Sequence, residues 1–314
     1  MLIVIPEFMD PAAVTSLAAD FEVNHQPTLV DDLPKLERAV AEADALIVRN
    51  RTQVNADLLA HAPRLRVVGR LGVGLDNIDT AACTARAIEV IAATGANAVS
   101  VAEYVITMAA MLLRGAYAHS VEVGAGGWPR VALSRGRELH GKTLGLIGFG
   151  SIGRVTAGLA HSLGMRVVAN DSLLADEDAA WRNTRVERRG LMELLSESDV
   201  VSLHVPLVAE TRRLIDATRI ASMKPGAIII NSSRGGIVDE AAVAAALRAG
   251  HLAGAALDVF EQEPLAAGTV LAGCPNLILT PHIAGVTQES NLRVGALIAD
   301  RVAASLRAAV SQTR

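Results

Sequence analysis

Length, composition and charge limit what this chain can be. At 314 residues it exceeds the usual size of one domain, which predicts two domains that each bury a core. The formal net charge of −4 gives no general reason to expect nucleic acid or an anionic membrane as partner. Cys83 and Cys274 are far apart and lack metal-ligand spacing, which predicts no metal site and suits a reducing compartment.

The N-terminus is apolar over residues 1–6 but lacks a basic segment, and acids follow at Glu7 and Asp10. This pattern predicts a first strand rather than a signal peptide. Since no apolar run approaches the roughly 20 residues that a membrane-spanning helix needs, we expect a soluble, cytoplasmic protein.

Short apolar runs alternate with helical patterns in the first 97 residues. Strands are predicted at residues 2–5, 45–49, 64–69 and 89–92, and helices at residues 12–19, 33–43, 56–60 and 79–86. Alternation of this kind predicts a parallel sheet covered by helices on both faces.

The same alternation returns after a long apolar helix at residues 100–113 and a break at residues 124–130, which contain three glycines and a proline. Strands are predicted at residues 142–147, 165–169, 200–205, 227–231, 253–258 and 277–280. Helices are predicted at residues 154–163, around 191–195, up to 223, and at 240–249, with a final helix at 289–309. Residues 98–285 therefore have enough strands for a second doubly wound domain.

Three glycines follow the strand at residues 142–147, with the spacing Gly148-x-Gly150-x-x-Gly153. In a dinucleotide-binding turn the first glycine permits the bend, the second admits a pyrophosphate, and the third lets helix and strand pack closely. The amides near Ser151 and Ile152 would face the phosphates at the start of the helix. Glycines also mark ordinary turns, so the spacing needs support from a second feature.

Asp171 supplies that support, because it follows the next strand at the distance expected of a ribose-binding acid. Its carboxylate would accept hydrogen bonds from a ribose diol and repel a 2′-phosphate, and residues 172–174 offer no cation to neutralise one. The sequence therefore predicts NAD rather than NADP. The alternative is a structural turn followed by a solvated aspartate.

Polar residues end several of the predicted strands, where ligands bind in doubly wound sheets. They are Arg234, Asp258, Glu263 and His282. Taken singly, each has a structural explanation: a surface cation, a turn cap, a solvated acid and a core histidine. Together they supply a cation for a carboxylate, an imidazole for proton transfer and a carboxylate to orient it, which is the set needed for hydride transfer at an alcohol next to a carboxylate.

Six segments resemble the D-2-hydroxyacid dehydrogenase family: residues 68–79, 145–153, 204–207, 231–239, 255–264 and 280–285. The resemblance covers essentially the whole chain. It implies an α/β fold of two doubly wound parallel-sheet domains, with a Rossmann cofactor domain nested in a flavodoxin-like substrate domain. The implied boundaries are 1–97 plus 286–314 for the substrate domain and 98–285 for the cofactor domain, with the active site in the cleft between them. A dimerisation arm at about 100–139 implies a homodimer.

The family's residue roles fall on matching positions of this chain. The resemblance implies His282 as the acid/base, Glu263 as its partner and Arg234 as the ligand of the substrate carboxylate. It implies Asp258 near the nicotinamide amide. The implied cofactor-binding positions are Gly148, Gly150, Ser151, Ile152, Gly153, Asp171, His204, Val205, Pro206, Thr211, Ser232, Ser233, Arg234, Asp258, His282 and Gly285. The implied substrate-binding positions are Arg49, Arg70, Val73, Gly74, Arg130, Arg234 and His282.

Within the family, residues 47–49, 69–70 and 127–130 are similar to the 3-phosphoglycerate dehydrogenase branch, and residues 50–54 and 127–130 to the 3-sulfolactate dehydrogenases. The motifs do not separate phosphate from sulfonate. The chain stops after its last predicted helix, so feedback control by serine through a C-terminal regulatory extension is not expected. A glyoxylate/hydroxypyruvate reductase and a non-catalytic NAD(H)-sensing corepressor remain as alternatives. A formate-type enzyme is disfavoured, because the presumed partner of His282 is an acid rather than a neutral amide.

Cations end three segments of the chain: Arg49 with Arg51, Arg70, and Arg130 on the Trp-Pro loop. Arg51 is interpreted as a solvated surface charge. Arg49 and Arg70 follow adjacent strands and should share one edge of the sheet. Because Arg234 already accounts for a carboxylate, further guanidinium groups predict a second anion on the substrate, and forked donors suit phosphate or sulfonate.

Overall fold

The strands form two parallel sheets in a computed structural model that describes residues 1–182 and 184–311. The strands are β1 (Leu2–Ile5), β2 (Glu22–His25), β3 (Ala45–Val48), β4 (Val67–Arg70), β5 (Glu89–Ala92), β6 (Thr143–Ile147), β7 (Arg166–Asn170), β8 (Glu187–Arg188), β9 (Val200–Leu203), β10 (Ala227–Asn231), β11 (Leu252–Leu257) and β12 (Leu277–Leu279). The helices are α1 (Pro11–Ala18), α2 (Leu33–Val40), α3 (Ala56–Ala60), α4 (Thr80–Ala85), α5 (Ala98–Arg114), α6 (Ser120–Gly124), α7 (Arg130–Leu133), α8 (Ser151–Ser162), α9 (Ala179–Arg182), α10 (Leu191–Glu197), α11 (Ala217–Ala221), α12 (Glu240–Arg248) and α13 (Gln288–Ser311).

The chain divides into two units, one of Met1–Asn97 with Val286–Arg314 and the other of Ala98–Gly285. In the first unit five strands lie in the order β2-β1-β3-β4-β5, the flavodoxin-like arrangement. α1 and α13 pack together on one face, where Ile298 and Val302 join the apolar side chains of β1, β3 and β4 in a shared core. A Cβ at Gly69 in β4 would lie 2.8 Å from Val302 Cγ2, so this glycine allows α13 to pack closely on the sheet.

In the second unit seven strands lie in the order β12-β11-β10-β9-β6-β7-β8. Read from β8, this is the Rossmann order 3-2-1-4-5-6 with one more strand at the end. The strand order reverses between β6 and β9, whose residues Leu144 and Val200 are in register. Ligands of such sheets bind beyond the carboxyl ends of the strands at this reversal. The two sheets confirm the predicted fold class.

The sequence patterns did not predict β2 or β8, and both are edge strands of exposed or half-buried residues. β2 reads Glu-Val-Asn-His and β8 reads Glu-Arg, so neither contains an apolar run that marks a strand. The predicted start of the helix after the glycine turn at residue 154 was wrong, because α8 begins at Ser151. Gly153 therefore lies in the first turn of the helix.

Phe149, the residue between the first two glycines, is fully buried beneath the turn. Its ring stacks on Trp181 of α9 with centroids 4.8 Å apart and an interplanar angle of 10°. Stacking of this kind adds about 0.5–1.5 kcal/mol to the burial of the two rings. The glycine turn is therefore anchored from below by an aromatic pair.

Within the described residues, none of the helices has both the length and the apolar character that crossing a bilayer requires.

Candidate active site

The turn between β6 and α8 is shaped by what a side chain would meet at each glycine. A Cβ at Gly148, where φ is 96°, would lie 2.6 Å from the His204 carbonyl oxygen, and a Cβ at Gly153 would lie 2.4 Å from the Gly148 carbonyl oxygen. Both positions therefore exclude side chains. A Cβ at Gly150 would meet no atom of the described residues within 4 Å, so this backbone faces open space.

The start of α8 completes this cradle. Because its N-cap is Gly150, which has no side chain, the helix begins at Ser151 without a side-chain cap. The amides of its first turn, including that of Ile152, have no partner within the helix and lie at the positive end of the helix dipole. Open space above Gly150 next to these amides fits a diphosphate.

The Asp171 carboxylate anchors the same turn from the end of β7. Its Oδ2 accepts a hydrogen bond from the Phe149 amide at 2.8 Å, and its Oδ1 accepts from the amides of Leu173 at 2.9 Å and Leu174 at 3.3 Å. An ionised carboxylate offers about four acceptor sites, and three amides already donate to this one, so capacity remains for one further donor, such as a ribose hydroxyl. Its role in cofactor binding stays a prediction.

His204 and Val205 follow β9 and border the glycine turn. The His204 amide donates to the Ile147 carbonyl at 2.7 Å, and Val205 Cγ1 would lie 3.0 Å from a Cβ at Gly148. The His204 Nε2 lies 3.0 Å from Ser202 Oγ, and burial lowers the pKa of His204 to about 4. The imidazole is therefore neutral at neutral pH. A neutral ring suits a wall of the site but cannot act as a cation that binds a phosphate.

Thr211 closes the loop that begins after His204. Its hydroxyl donates to the Pro206 carbonyl at 2.6 Å and accepts from the Val208 amide at 2.8 Å. The structure thus gives the Thr211 side chain a role in shaping the loop. Direct contact of Pro206 and Thr211 with a cofactor stays a prediction.

The turn after β10 carries Arg234 and is held by Asn231, to which the sequence assigned no role. Asn231 Oδ1 accepts from the Ser233 amide at 3.1 Å and hydroxyl at 2.8 Å, while Nδ2 donates to the Arg234 carbonyl at 2.9 Å. The Arg234 guanidinium is half-buried and donates to the Ser233 carbonyl at 2.6 Å. The Ser232 hydroxyl is buried and has no partner among residues 1–182 and 184–311.

Gly235 was not among the predicted site residues, yet it brings two parts of the site together. A Cβ at this position would lie 1.7 Å from the Phe260 carbonyl oxygen. Only glycine lets the Arg234 turn lie this close to the segment that leads to Glu263. The doubled glycine at residues 235–236 is the sequence signal that could have revealed this contact.

His282 and Glu263 form an ion-pair-like contact with Nδ1 and Oε2 2.8 Å apart. Glu263 Oε1 also accepts from the Phe260 amide at 3.1 Å, so the carboxylate is fixed on both oxygens. Because Nδ1 faces the carboxylate, Nε2 is the ring nitrogen left to exchange a proton. The side chains are 41% and 36% exposed, which leaves the imidazole accessible.

Asp258, only 1% exposed, holds the loop that carries His282. Its Oδ1 accepts from the Thr280 hydroxyl at 2.6 Å and the Ile283 amide at 2.8 Å, and its Oδ2 accepts from the Ala284 amide at 2.8 Å. Its carbonyl accepts from the His282 amide at 2.8 Å. His282 has a φ of 57°, a left-handed conformation that costs a non-glycine residue on the order of 1–3 kcal/mol. The hydrogen bonds to Asp258 offset that cost.

The structure therefore brings Arg234, Glu263, His282 and Asp258 together in one unit, on loops that follow β10, β11 and β12. This unit ends at Gly285, next to the loop that Asp258 holds. The Asp258 carboxylate is already engaged by the loop. Its contact with a nicotinamide amide stays a prediction.

Two of the other predicted arginines belong to the first unit, where Arg70 ends β4 and Arg49 follows β3. Val48 is in register with Arg70, so the two guanidinium groups start from adjacent strand ends, as expected. Arg49 Nη2 donates to Asn291 Oδ1 at 2.9 Å, and its guanidinium lies 5.7 Å from the Phe8 ring centre. Burial lowers the pKa of Arg49 from its ordinary value.

Glu7 organises the loop that begins at Arg49. Its buried carboxylate accepts hydrogen bonds from the amides of Arg49 at 2.9 Å, Arg51 at 3.1 Å and Thr52 at 3.1 Å. The Arg51 side chain itself is exposed and pairs with Asp31 at the surface. Glu7 thus fixes the backbone that presents Arg49, a role that sequence reasoning missed.

Arg70 lies against the next loop, which contains Val73 and Gly74. Its Nη1 donates to the Leu71 carbonyl at 2.8 Å, and a Cβ at Gly72 would lie 1.9 Å from the same nitrogen. The guanidinium therefore crosses the backbone of this loop at Leu71 and Gly72. Binding of a carboxylate by the amides of Val73 and Gly74 stays a prediction.

Arg130 belongs to the second unit. It is the exposed first residue of α7, where it borders a groove with Val123 and Trp128. Its role in substrate binding stays a prediction.

Comparison with known proteins decides the family. The family model described as the NAD binding domain of the D-isomer specific 2-hydroxyacid dehydrogenases matches residues 106–284, more than half of the chain. The chain belongs to this family. The family resemblance read from the sequence motifs is thereby confirmed.

Relatives of this 2-hydroxyacid dehydrogenase include an (S)-sulfolactate dehydrogenase from Chromohalobacter salexigens, 56% identical over 305 residues that cover 97% of this chain and 98% of that protein. A D-3-phosphoglycerate dehydrogenase from Mycobacterium tuberculosis is 39% identical over 97% of this chain, which spans only 57% of that protein. The crystal structure of a D-lactate dehydrogenase from Aquifex aeolicus, complexed with NAD and lactic acid, has a TM-score of 0.86 and 30% identity, and the match covers 99% of this chain and 97% of that one.

The protein is therefore an NAD-dependent oxidoreductase, and its glycine turn fits that cofactor. A bound dinucleotide would satisfy three features: the open backbone at Gly150, the uncapped start of α8, and the Ser232 hydroxyl, which has no partner in the part of the chain that the structure describes. When bound, NAD supplies the acceptor or donor of the hydride. The chain's own residues must bind the substrate and move the proton.

We expect NAD to be used far more efficiently than NADP, and replacement of Asp171 by asparagine to narrow that preference by about tenfold or more. The change keeps an acceptor for the Phe149 amide but removes the charge that binds a diol and repels a 2′-phosphate, and a hydrogen bond to a charged group contributes about 1.5–3 kcal/mol. The measurement is kcat/KM with each cofactor. Equal efficiencies in the unmodified protein would contradict the assignment.

Proposed function

We propose that the protein oxidises the C2 hydroxyl of a 3-sulfo-substituted 2-hydroxy acid, of the 3-sulfolactate type, to the 2-oxo acid with NAD, and catalyses the reverse reduction. The main support is the relative named an (S)-sulfolactate dehydrogenase, which matches this chain at 56% identity along nearly the whole length of both proteins. The relative named a D-3-phosphoglycerate dehydrogenase supports a second anion on the substrate as well, but at lower identity and over part of its length.

The stereochemical label of that relative agrees with a D-specific family. In lactate the carboxyl group outranks the methyl group, and the D isomer is labelled R. In 3-sulfolactate the sulfomethyl group outranks the carboxyl group, because sulfur outranks oxygen at the first point of difference. The same spatial arrangement therefore becomes S. An (S)-sulfolactate places its hydroxyl, hydrogen and carboxylate as D-lactate does.

In the proposed oxidation, His282 Nε2 accepts the proton of the substrate hydroxyl as the hydride leaves C2, and Glu263 stabilises the imidazolium that forms. Arg234 binds the substrate carboxylate through charge-assisted hydrogen bonds, with the amides of Val73 and Gly74 as further donors. In reduction the same proton returns from His282 to the carbonyl oxygen. The contact of 2.8 Å between the His282 and Glu263 side chains is the observation that carries this assignment.

Arg49 and Arg70 are proposed to bind the sulfonate. They start from adjacent strand ends, and both guanidinium groups are half-buried and held by backbone or side-chain oxygens of their own unit. A guanidinium group pairs with two oxygens of a tetrahedral anion at once. We extend this proposal to phosphate as the alternative second anion.

The test is a panel of acids: both enantiomers of 3-sulfolactate, D-3-phosphoglycerate, D-glycerate, glyoxylate and D-lactate. Turnover of each acid is measured through the absorbance of the reduced cofactor. We expect (S)-sulfolactate to have the highest kcat/KM. Arg70→Ala should lower kcat/KM for the doubly anionic acids by about 10- to 100-fold, the contribution of a hydrogen bond between charged groups, and should affect D-lactate much less.

Arg51→Ala is the matched control, because Arg51 lies on the same unit but pairs with Asp31 at the surface. It should leave all the substrates unchanged. If the unmodified protein uses D-lactate or glyoxylate as well as any doubly anionic acid, or if Arg70→Ala weakens both kinds of substrate equally, the second-anion site does not exist.

We also propose that the protein is a cytoplasmic homodimer. The segment after α5 exposes large apolar side chains: Val121 is 85%, Trp128 is 78% and Val131 is 83% exposed. Large exposed apolar side chains grouped in one segment favour an interaction site, and a second copy of the chain is the proposed occupant. The free thiols of Cys83 and Cys274 suit the reducing cytoplasm. Sedimentation at micromolar concentration tests the dimer, and a monomer there would refute it.

A further inference from the structure

Tyr104 of α5 is linked to the loop of His282 by two short hydrogen bonds. Its hydroxyl lies 2.7 Å from Thr280 Oγ1, and Thr280 Oγ1 lies 2.6 Å from Asp258 Oδ1. Asp258 in turn accepts from the amides of Ile283 and Ala284. A helix outside the strand-end loops therefore reaches the proposed acid/base through a continuous chain of polar groups.

The direction of these hydrogen bonds follows from the number of protons. Thr280 has one hydroxyl proton, and Asp258, which receives backbone N–H donors, acts as an acceptor. Thr280 must then donate to Asp258, so the only proton available for the second contact is that of Tyr104. Burial raises the pKa of Tyr104 to about 12, so the phenol retains the proton that it donates.

The hydrogen bonds that link Tyr104, Thr280 and Asp258 act at the point where the backbone is under strain. His282 has a left-handed φ of 57°, and its amide donates to the Asp258 carbonyl at 2.8 Å. Glu263 fixes the ring of His282, whereas Asp258 fixes its backbone. Hydrogen bonds that are linked in series polarise one another, so each strengthens the next. The Tyr104 hydroxyl is thus the outermost of the groups that hold the Asp258 carboxylate.

We propose that Tyr104 is a positioning residue for His282, acting through Thr280 and Asp258 to hold the loop of residues 280–284 in the conformation that presents the imidazole for proton transfer. This inference rests on the proposed acid/base role of His282. It adds to that role a contribution from α5 that neither the sequence motifs nor the comparisons assign.

The test begins with Tyr104→Phe, which removes one oxygen and keeps the ring. We expect kcat to fall about three- to tenfold, the effect of one neutral hydrogen bond, with the KM for NAD changed less than about twofold. The matched control is Tyr117→Phe. Tyr117 is the second of the two tyrosines in the sequence, and it lies outside the hydrogen-bonded series of Tyr104, Thr280 and Asp258. It should retain full turnover. Sedimentation of each variant checks that subunit association is unchanged.

A double-mutant cycle distinguishes positioning through Thr280 from a general loss of packing. Thr280→Val should lower kcat about 10- to 100-fold, since it removes a donor to a carboxylate, and Thr280→Ser should restore most of the activity. Tyr104→Phe should have no further effect in the Thr280→Val background, because its influence passes through Thr280. A Tyr104→Phe loss that persists in that background, or unchanged turnover in Tyr104→Phe, would overturn the proposal.

Hydrogen exchange separates failure of this inference from failure of the proposed function. Tyr104→Phe and Thr280→Val should both speed amide exchange at Ile283 and Ala284, whether or not any acid of the panel is oxidised. A protein that oxidises none of the acids would refute the proposed function and leave this measurement intact. Unchanged exchange at both amides in both variants would refute the inference.

Discussion

Replacement of His282 by alanine should lower turnover by about 10² to 10⁴, the usual contribution of general acid–base catalysis. Its Nδ1 is held 2.8 Å from Glu263 Oε2, so Nε2 is the nitrogen that exchanges the proton, and no alanine group can replace it. NAD affinity, measured by titration, should change little, because the glycine turn and Asp171 do not depend on the imidazole.

Two variants frame this expectation. Glu263→Gln keeps a hydrogen-bond acceptor for the ring but removes the charge that stabilises the imidazolium, so it should lower turnover less than His282→Ala does. His61→Ala removes an exposed imidazole of the first unit and should leave turnover unchanged. If neither His282→Ala nor Glu263→Gln alters kcat, the acid/base has been assigned to the wrong residue.

Replacement of Arg234 by lysine should raise the KM for the acid by about 10- to 100-fold and lower kcat as well. The guanidinium can donate to both oxygens of a carboxylate in parallel, and an ammonium group cannot reproduce that geometry. The loss of one charge-assisted hydrogen bond corresponds to about 1.5–3 kcal/mol. Steady-state kinetics with the preferred acid of the panel measure both effects.

Arg219→Lys provides the control for this substitution. Arg219 belongs to the same unit, but its side chain pairs with Asp216 at the start of α11, in a contact 3.2 Å long. The lysine should preserve that pairing and the kinetics. Near-normal kinetics in Arg234→Lys itself would mean that the substrate carboxylate is bound elsewhere.

Sequence patterns predicted the features that depend on local chemistry. The glycine spacing located the turn after β6, and apolar runs located the buried strands β3, β6, β9 and β10. The edge strands β2 and β8 escaped prediction because their exposed or half-buried residues form no apolar run. A strand that pairs with one neighbour only has little signature in its own sequence.

Residues that act through tertiary contacts were the other group that the patterns missed. Asn231 clamps the Arg234 turn, and Gly235 permits the close approach of Phe260. Tyr104 and Thr280 are separated by 176 positions along the chain. A tyrosine within an apolar helix has the same local pattern whether its hydroxyl meets water or a half-buried threonine. Only the packing of α5 against the sheet decides between those cases.

The stacked pair of Phe149 and Trp181 gives the protein a built-in optical reporter. The chain has two tryptophans, and they occupy opposite environments: Trp181 is 9% exposed beneath the dinucleotide turn, whereas Trp128 is 78% exposed. Their emission should separate into a blue component from Trp181 and a red component from Trp128. Reduced nicotinamide absorbs where tryptophan emits, so binding of the reduced cofactor should quench the blue component by energy transfer. Fluorescence of the unlabelled protein could therefore follow cofactor binding at the turn and solvent exposure of the apolar segment in a single spectrum.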